Sequence, residues 1–167
     1  MIHEVQGDIL LTRAQVTAHG VAANDPMKQG LALSLHQRYP SMHKDFHHWC
    51  NNNHPSAGQA WLWSGVGSEG DHPVHIVNLL TQEGGYEGKP PGRATESSVN
   101  HSLRELRKLA EKNQFTSIAL PRLATGVGGL DWEKVKPLVQ AQLGDMGIPV
   151  YVYVTYHAGQ TADEPGL

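Results

Sequence analysis

Alternating apolar and polar positions open the chain. "IHEVQGDIL" reads as a short strand that turns at Gly7-Asp8, and "VTAHGVA" (Val16 to Ala22) as a small-residue strand buried between neighbours. The period then changes. In "QGLALSLHQRY" Leu31, Leu35 and Tyr39 share one helical face, Pro40 stops the helix, and Ser41 is expected to cap a second one through "MHKDFHHWC". "QAWLWSGV" and "VHIVNLLT" read as strands separated by the turn-rich "GSEGDHP". The clearest helix is "SSVNHSLRELRKLAEKN", with Val99, Leu103, Leu106 and Ala110 on one stripe. "TSIALPRL" follows as a buried strand, "DWEKVKPLVQAQL" as a helix capped by Asp131 with Pro137 in its interior, and "PVYVYVTY" as a last strand. The tail "HAGQTADEPGL", residues 157–167, is expected to be disordered.

Strands alternating with helices make an α/β domain over residues 1–156, with a mixed, largely parallel sheet and helices on both faces. Ligands of such sheets bind where strands end and the chain leaves for the next helix. Three unusual segments occupy those places: "ANDPMKQG", the glycine- and proline-rich "QEGGYEGKPPG", expected to be mobile, and "ATGVGG". On parallel strands they share one rim. In the last, Gly126, Gly128 and Gly129 suit either a tight turn or a backbone that approaches a phosphate, where aligned N–H groups and a helix N-terminus favour negative charge.

Composition narrows the partners. With 167 residues, 39% hydrophobic and 17% charged, the chain is long enough for one cored domain. A formal charge of −3 gives no footprint for non-specific nucleic-acid binding, and no apolar run is long enough for a bilayer. The single cysteine, Cys50, and a start lacking the features of a secretory signal lead us to expect a cytoplasmic protein. Eleven histidines include His43 and His47, one helical turn apart, with Cys50 and His54 following. A shared metal ion is one reading; a solvated helix face with Phe46 and Trp49 turned inward is preferred, so no metal is expected.

Four stretches together resemble the macrodomain family, the ADP-ribose-binding α/β module. They are "GDIL" (Gly7 to Leu10), "AHGVAANDPMKQGLAL" (Ala18 to Leu33), "NLLTQ" (Asn78 to Gln82) and "IALPRLATGVGGLDWEKVKPLV". The branch they resemble contains the terminal ADP-ribose protein glycohydrolase and the DarG antitoxin, and the likeness runs from Ile2 to Tyr156. The resemblance implies a three-layer α/β/α fold. It also implies ADP-ribose-binding roles: Asp8 and Ile9 for adenine, Met27, Gly30, Leu31 and Ala32 for the diphosphate and distal ribose, Thr125, Gly126, Val127 and Gly128 for the other phosphate face, and Tyr153 near adenine or its ribose. Read without the family, Asp8 is a turn cap and Tyr153 a half-buried strand residue.

The departures bear on activity. Where the branch carries Met-Gly-x-Gly this chain has Met27-Lys28-Gln29-Gly30; where its hydrolases carry lysine after threonine it has Gln82; and Gly128 stands where some place an acid. An amide can orient water but cannot act as nucleophile or base. Gln82 is thus the candidate catalytic residue of a weak or specialised ADP-ribosyl hydrolase that needs no cofactor. The alternatives are a non-catalytic reader of ADP-ribosylated macromolecules and an ADP-ribose 1″-phosphate phosphatase. A monomer is expected.

Overall fold

A computed structural model describes residues 1–66, 72–84 and 92–167. In chain order it contains β1 (Ile2–Gly7), a 3₁₀ turn (Ile9–Leu11), β2 (Val16–Ala22), α1 (Gly30–Arg38), α2 (Pro40–Asn53), β3 (Ala60–Val66), β4 (Pro73–Gln82), α3 (Glu96–Lys112), β5 (Ile118–Pro121), α4 (Trp132–Leu143) and β6 (Val150–Tyr156). Most of the turn "GSEGDHP" and the centre of the loop expected to be mobile, residues 85–91, lie outside the described residues.

The sheet order is β1-β6-β5-β2-β4-β3, parallel throughout except for β3, which pairs antiparallel with β4. Residue alternation divides each strand between two cores. Val16, Ala18, Val77, Leu79, Ile118, Leu120, Val150 and Val152 face α3 and α4. On the other side Val21, Ile76 and Leu80 meet α1 and α2, while Val5, Ala119, Tyr151 and Tyr153 are covered by Ile9 and by Ala162 of the tail. This is the three-layer arrangement expected of the sequence.

Local details differ from expectation. Pro40 both ends α1 and occupies the first turn of α2, so Ser41 lies inside that helix; the N-cap is Tyr39, without a side-chain bond. Asp131 is the N-cap of α4 but caps only through its backbone carbonyl, which accepts from Lys134 and Val135. Pro137 is tolerated because it is exposed, as is Glu133 one turn earlier, so water can take the carbonyl that the proline cannot serve.

The C-terminal tail is the largest correction. Residues 157–167 pack back over β1 and β6, with Ala162 and Glu164 buried. His157 N donates to Gly7 O, Asp8 N to Gln160 O at 2.7 Å, and Tyr151 Oη to Pro165 O. Few apolar residues hold the segment. Polar atoms of the sheet edge do so instead, a bonding pattern that leaves no periodic mark in sequence.

Candidate functional site

The order β5-β2-β4 sets three parallel strands side by side, so the loops that leave them emerge on one rim. Backbone contacts stitch these loops together. Gln82 pairs with Ala94 across the mouth of the β4–α3 connection, and Ala94 N donates to Gly128 O at 3.2 Å. A Cβ on Gly84 would lie 2.4 Å from Ala23 O, so this connection also runs against the loop after β2. The predicted convergence of the three segments is therefore present at these described positions.

The loop after β2 is shaped by Asp25, whose carboxylate accepts from Ala22 N at 3.0 Å and from Met27 N at 2.8 Å. Asn24, Met27 and Gly30 have φ of 58°, 52° and 58°. Two of these are not glycine, so the loop holds backbone strain of about 1–3 kcal/mol per residue to keep its course. That course delivers the chain into α1, whose N-cap Gln29 provides no side-chain hydrogen bond. The N–H groups of Gly30, Leu31 and Ala32 thus begin a helix with no side-chain cap, where an anion is favoured. Met27 itself is fully buried among Leu35, Met42 and Phe46, with its N–H held by Asp25, so it supports the loop from beneath. Ala32 likewise packs its methyl on that core.

The glycine-rich loop after β5 separates into two kinds of glycine. A Cβ on Gly128 would meet Ala124 O at 2.7 Å and Ala94 Cβ at 2.9 Å, so this glycine serves protein packing. A Cβ on Gly126 would meet nothing within 4 Å; the residue is exposed, and its carbonyl accepts from Gly129 N at 3.1 Å. The left-handed residues here are Ala124 and Gly129, at φ 60° and 78°. Thr125 Oγ1 donates to Arg122 O at 3.0 Å, and Val127 is 72% exposed at the tip.

Beside α1 opens a cleft of about 360 Å³, lined by Gly7, Ile9, Leu10, Gly30, Leu31, Ser34, Pro121, Tyr153 and Tyr156. It contains Ile9, Gly30, Leu31 and Tyr153 of the residues singled out in the sequence. Met27, Ala32, Gln82 and the 125–128 segment are not in its wall and lie instead in or against the rim loops. Asp8, between the lining residues Gly7 and Ile9 but not itself in the wall, caps the 3₁₀ turn through Leu10 N at 3.0 Å and accepts from Gly159 N at 2.9 Å. Gln82 is 7% exposed at the end of β4.

Sequence reasoning missed several groups. Ser34 follows Gly30 by one helical turn and was available from that period. Tyr156 closes the last strand. Asn24 Oδ1 is buried with no hydrogen-bond partner among the described residues, an acceptor with capacity for a ligand. Beneath the loop, His19 Nε2 and Asn78 Oδ1 lie 2.6 Å apart, and burial holds the His19 pKa down at about 4, against the opposing effects of Asn78 and Asp25. His19 is neutral at pH 7.

The histidines of α2 are not the solvated face expected. His36 stacks on His43 with ring centroids 3.8 Å apart, His43 meets His47 at 5.8 Å, and the two α2 residues are half-buried. Burial first, and then the neighbouring His36 and His47, lower the His43 pKa. Among the described residues no three His, Cys, Asp or Glu side chains are grouped to hold a metal ion.

The family model described as Macro domain matches residues 19–139, from within β2 to within α4. The chain belongs to the Macro domain family. It is 29% identical over 154 residues to a DNA ADP-ribosyl glycohydrolase of Mycobacterium tuberculosis, a match covering 90% of this chain and 42% of that protein. The chain thus spans less than half the length of this curated relative. The macrodomain of Mycobacterium tuberculosis DarG superposes with a TM-score of 0.76 at 26% identity, covering 92% of this chain and 97% of that one. Thermosipho africanus DarTG in complex with ADP-ribose superposes at 0.79 and 23% identity, covering 96% of this macrodomain and 42% of that chain. Among the described residues no helix is long and apolar enough to cross a membrane.

Proposed function

We propose that this macrodomain binds ADP-ribose, or the ADP-ribosyl group of a modified macromolecule, and that binding outweighs any hydrolysis. The observation that carries the reading is the start of α1 without a side-chain cap, set between an apolar, aromatic cleft and a loop whose Gly126 faces open space. The base lies in the cleft between Ile9, Leu31 and Tyr153, near Asp8. The diphosphate takes the N–H groups of Gly30 to Ala32 on one side and of Thr125 to Gly128 on the other. The distal ribose points to Asn24 and Gln82. The names of the similar proteins, a DNA ADP-ribosyl glycohydrolase and a DarTG complex with ADP-ribose, support the same ligand.

Gln82 decides the balance between binding and turnover. Its amide holds a water near the distal ribose but takes no proton from it, so hydrolysis is slow or restricted to a good leaving group. This favours a reader of ADP-ribosyl marks over an efficient hydrolase. A buried thiol, Cys50, whose sulfur accepts from Asn24 N, suits a reducing, cytoplasmic compartment. Calorimetry should give clear ADP-ribose binding and far weaker AMP binding, because AMP lacks the second phosphate and the distal ribose. Equal affinities would remove the loops from the site. Release assays on glutamate-linked, thymidine-linked and 1″-phosphate substrates should show slow turnover at most, and fast release from any of them would reverse the order of binding and hydrolysis.

A further inference from the structure

We infer that the C-terminal segment 157–167 is a buttress behind the base end of the cleft, and that Glu164 is its positioning residue. This rests on the ligand placement proposed above. Glu164 is 1% exposed, and its carboxylate gathers donors from two separate elements. Thr12 Oγ1 and Arg13 N (2.9 Å) come from the end of the 3₁₀ turn, while Tyr153 Oη (3.0 Å) comes from β6. The Arg13 guanidinium, itself half exposed, stands 4.0 Å away and offsets the charge.

The residues that Glu164 ties are the supports of the cleft. Ile9 and Leu10 belong to the 3₁₀ turn, and they face the cleft together with the Tyr153 ring. One carboxylate therefore fixes the spacing of both walls. A buried carboxylate is an unfavourable way to fasten a tail, since an apolar plug avoids the desolvation. What the charge adds is direction: its bonds hold the Tyr153 hydroxyl and the turn in one register. The same segment holds Asp8 from two sides, through Gln160 O and Gly159 N. Tyr153 thus meets its ligand with the ring while its hydroxyl is held from behind. The buried phenol has its pKa raised, by burial above all, and remains a hydrogen-bond donor at neutral pH.

The test uses the whole chain and two ligands, ADP-ribose and ribose 5-diphosphate, which lacks the adenosine half. Wild type, Glu164→Ala, Glu164→Gln and Tyr153→Phe are titrated with each, after a thermal melt to establish folding. Glu164→Ala should weaken ADP-ribose binding by about tenfold, the effect of losing one or two charge-assisted bonds that set the pocket, while ribose 5-diphosphate changes by less than about twofold. Glu164→Gln, which keeps an acceptor, should recover part of the loss. Tyr153→Phe removes only the tied hydroxyl and should lower ADP-ribose affinity selectively as well, which keeps the test open if Glu164→Ala does not fold. Equal losses for the two ligands, or no loss in any variant, would overturn the positioning role. If the wild-type protein binds neither ligand, the ligand placement itself is wrong.

Discussion

Gly126 and Gly128 stand two residues apart and should respond oppositely to the same added methyl. At Gly126 a Cβ meets nothing within 4 Å, and φ is outside the left-handed region, so alanine fits the folded chain. Fewer unfolded conformations should then make Gly126→Ala neutral or stabilising by about 0.4–1 kcal/mol. At Gly128 the same atom lies 2.7 Å from Ala124 O and 2.9 Å from both Ala124 Cα and Ala94 Cβ. Two of these neighbours are backbone and cannot swing away. Overpacking of this kind costs about 1–3 kcal/mol, and a shifted loop also loses the Ala94 N to Gly128 O bond, about 1 kcal/mol more. Gly128→Ala should therefore lower stability by about 2–4 kcal/mol, a melting-temperature drop on the order of 5–15 °C. Binding should follow the opposite ranking at Gly126. Gly126→Val fills the open space and displaces the phosphate from at least two N–H groups, a loss of about 3 kcal/mol or more and so over a hundredfold in Kd. Melting curves and calorimetry on the same preparations read both quantities. A Gly126→Val protein that binds ADP-ribose normally, or a Gly128→Ala protein as stable as wild type, would refute this division of the loop.

The other expectations concern buried polar groups. With an ordinary pKa of 6.5 and a folded value of about 4, His19 refuses a proton that the unfolded chain accepts. Its contribution is complete above pH 6.5 and falls as pH drops towards 4, by about 2–3 kcal/mol at pH 4.5. Urea midpoints at pH 7 and 4.5 should differ less for His19→Gln than for wild type, and identical differences would sink the assignment. Gln82→Lys restores the residue type of the resembled hydrolases, yet at 7% exposure the ammonium is desolvated. Gly128 also has no room for a supporting acid. The gain in ADP-ribose release should stay below about tenfold; a rise of over a hundredfold would mean that the remaining catalytic geometry was already complete.

Periodicity alone was enough for the layers of this protein. The Val99–Leu103–Leu106–Ala110 stripe of α3 and the apolar alternation of β2, β4, β5 and β6 specify which faces must be covered, because burying those faces drives the fold. The rim was legible because three glycine- and proline-rich segments follow strand ends that parallel pairing brings together, although each alone also suits a turn. The sequence could not say which glycine leaves open space and which fits against Ala94, since that depends on a contact between loops more than thirty residues apart. Nor could it place Met27 wholly inside the core, or join His36 to His43 across two helices. The tail was the least legible part. Eleven mostly polar and small residues carry no periodic signal, and their order comes from Glu164 reaching Thr12, Arg13 and Tyr153 and from Asp8 held between Gly159 and Gln160. Hydrogen bonds over such separations exist only once β1 and β6 lie side by side, so tertiary structure alone decided that residues 157–167 brace the cleft from behind.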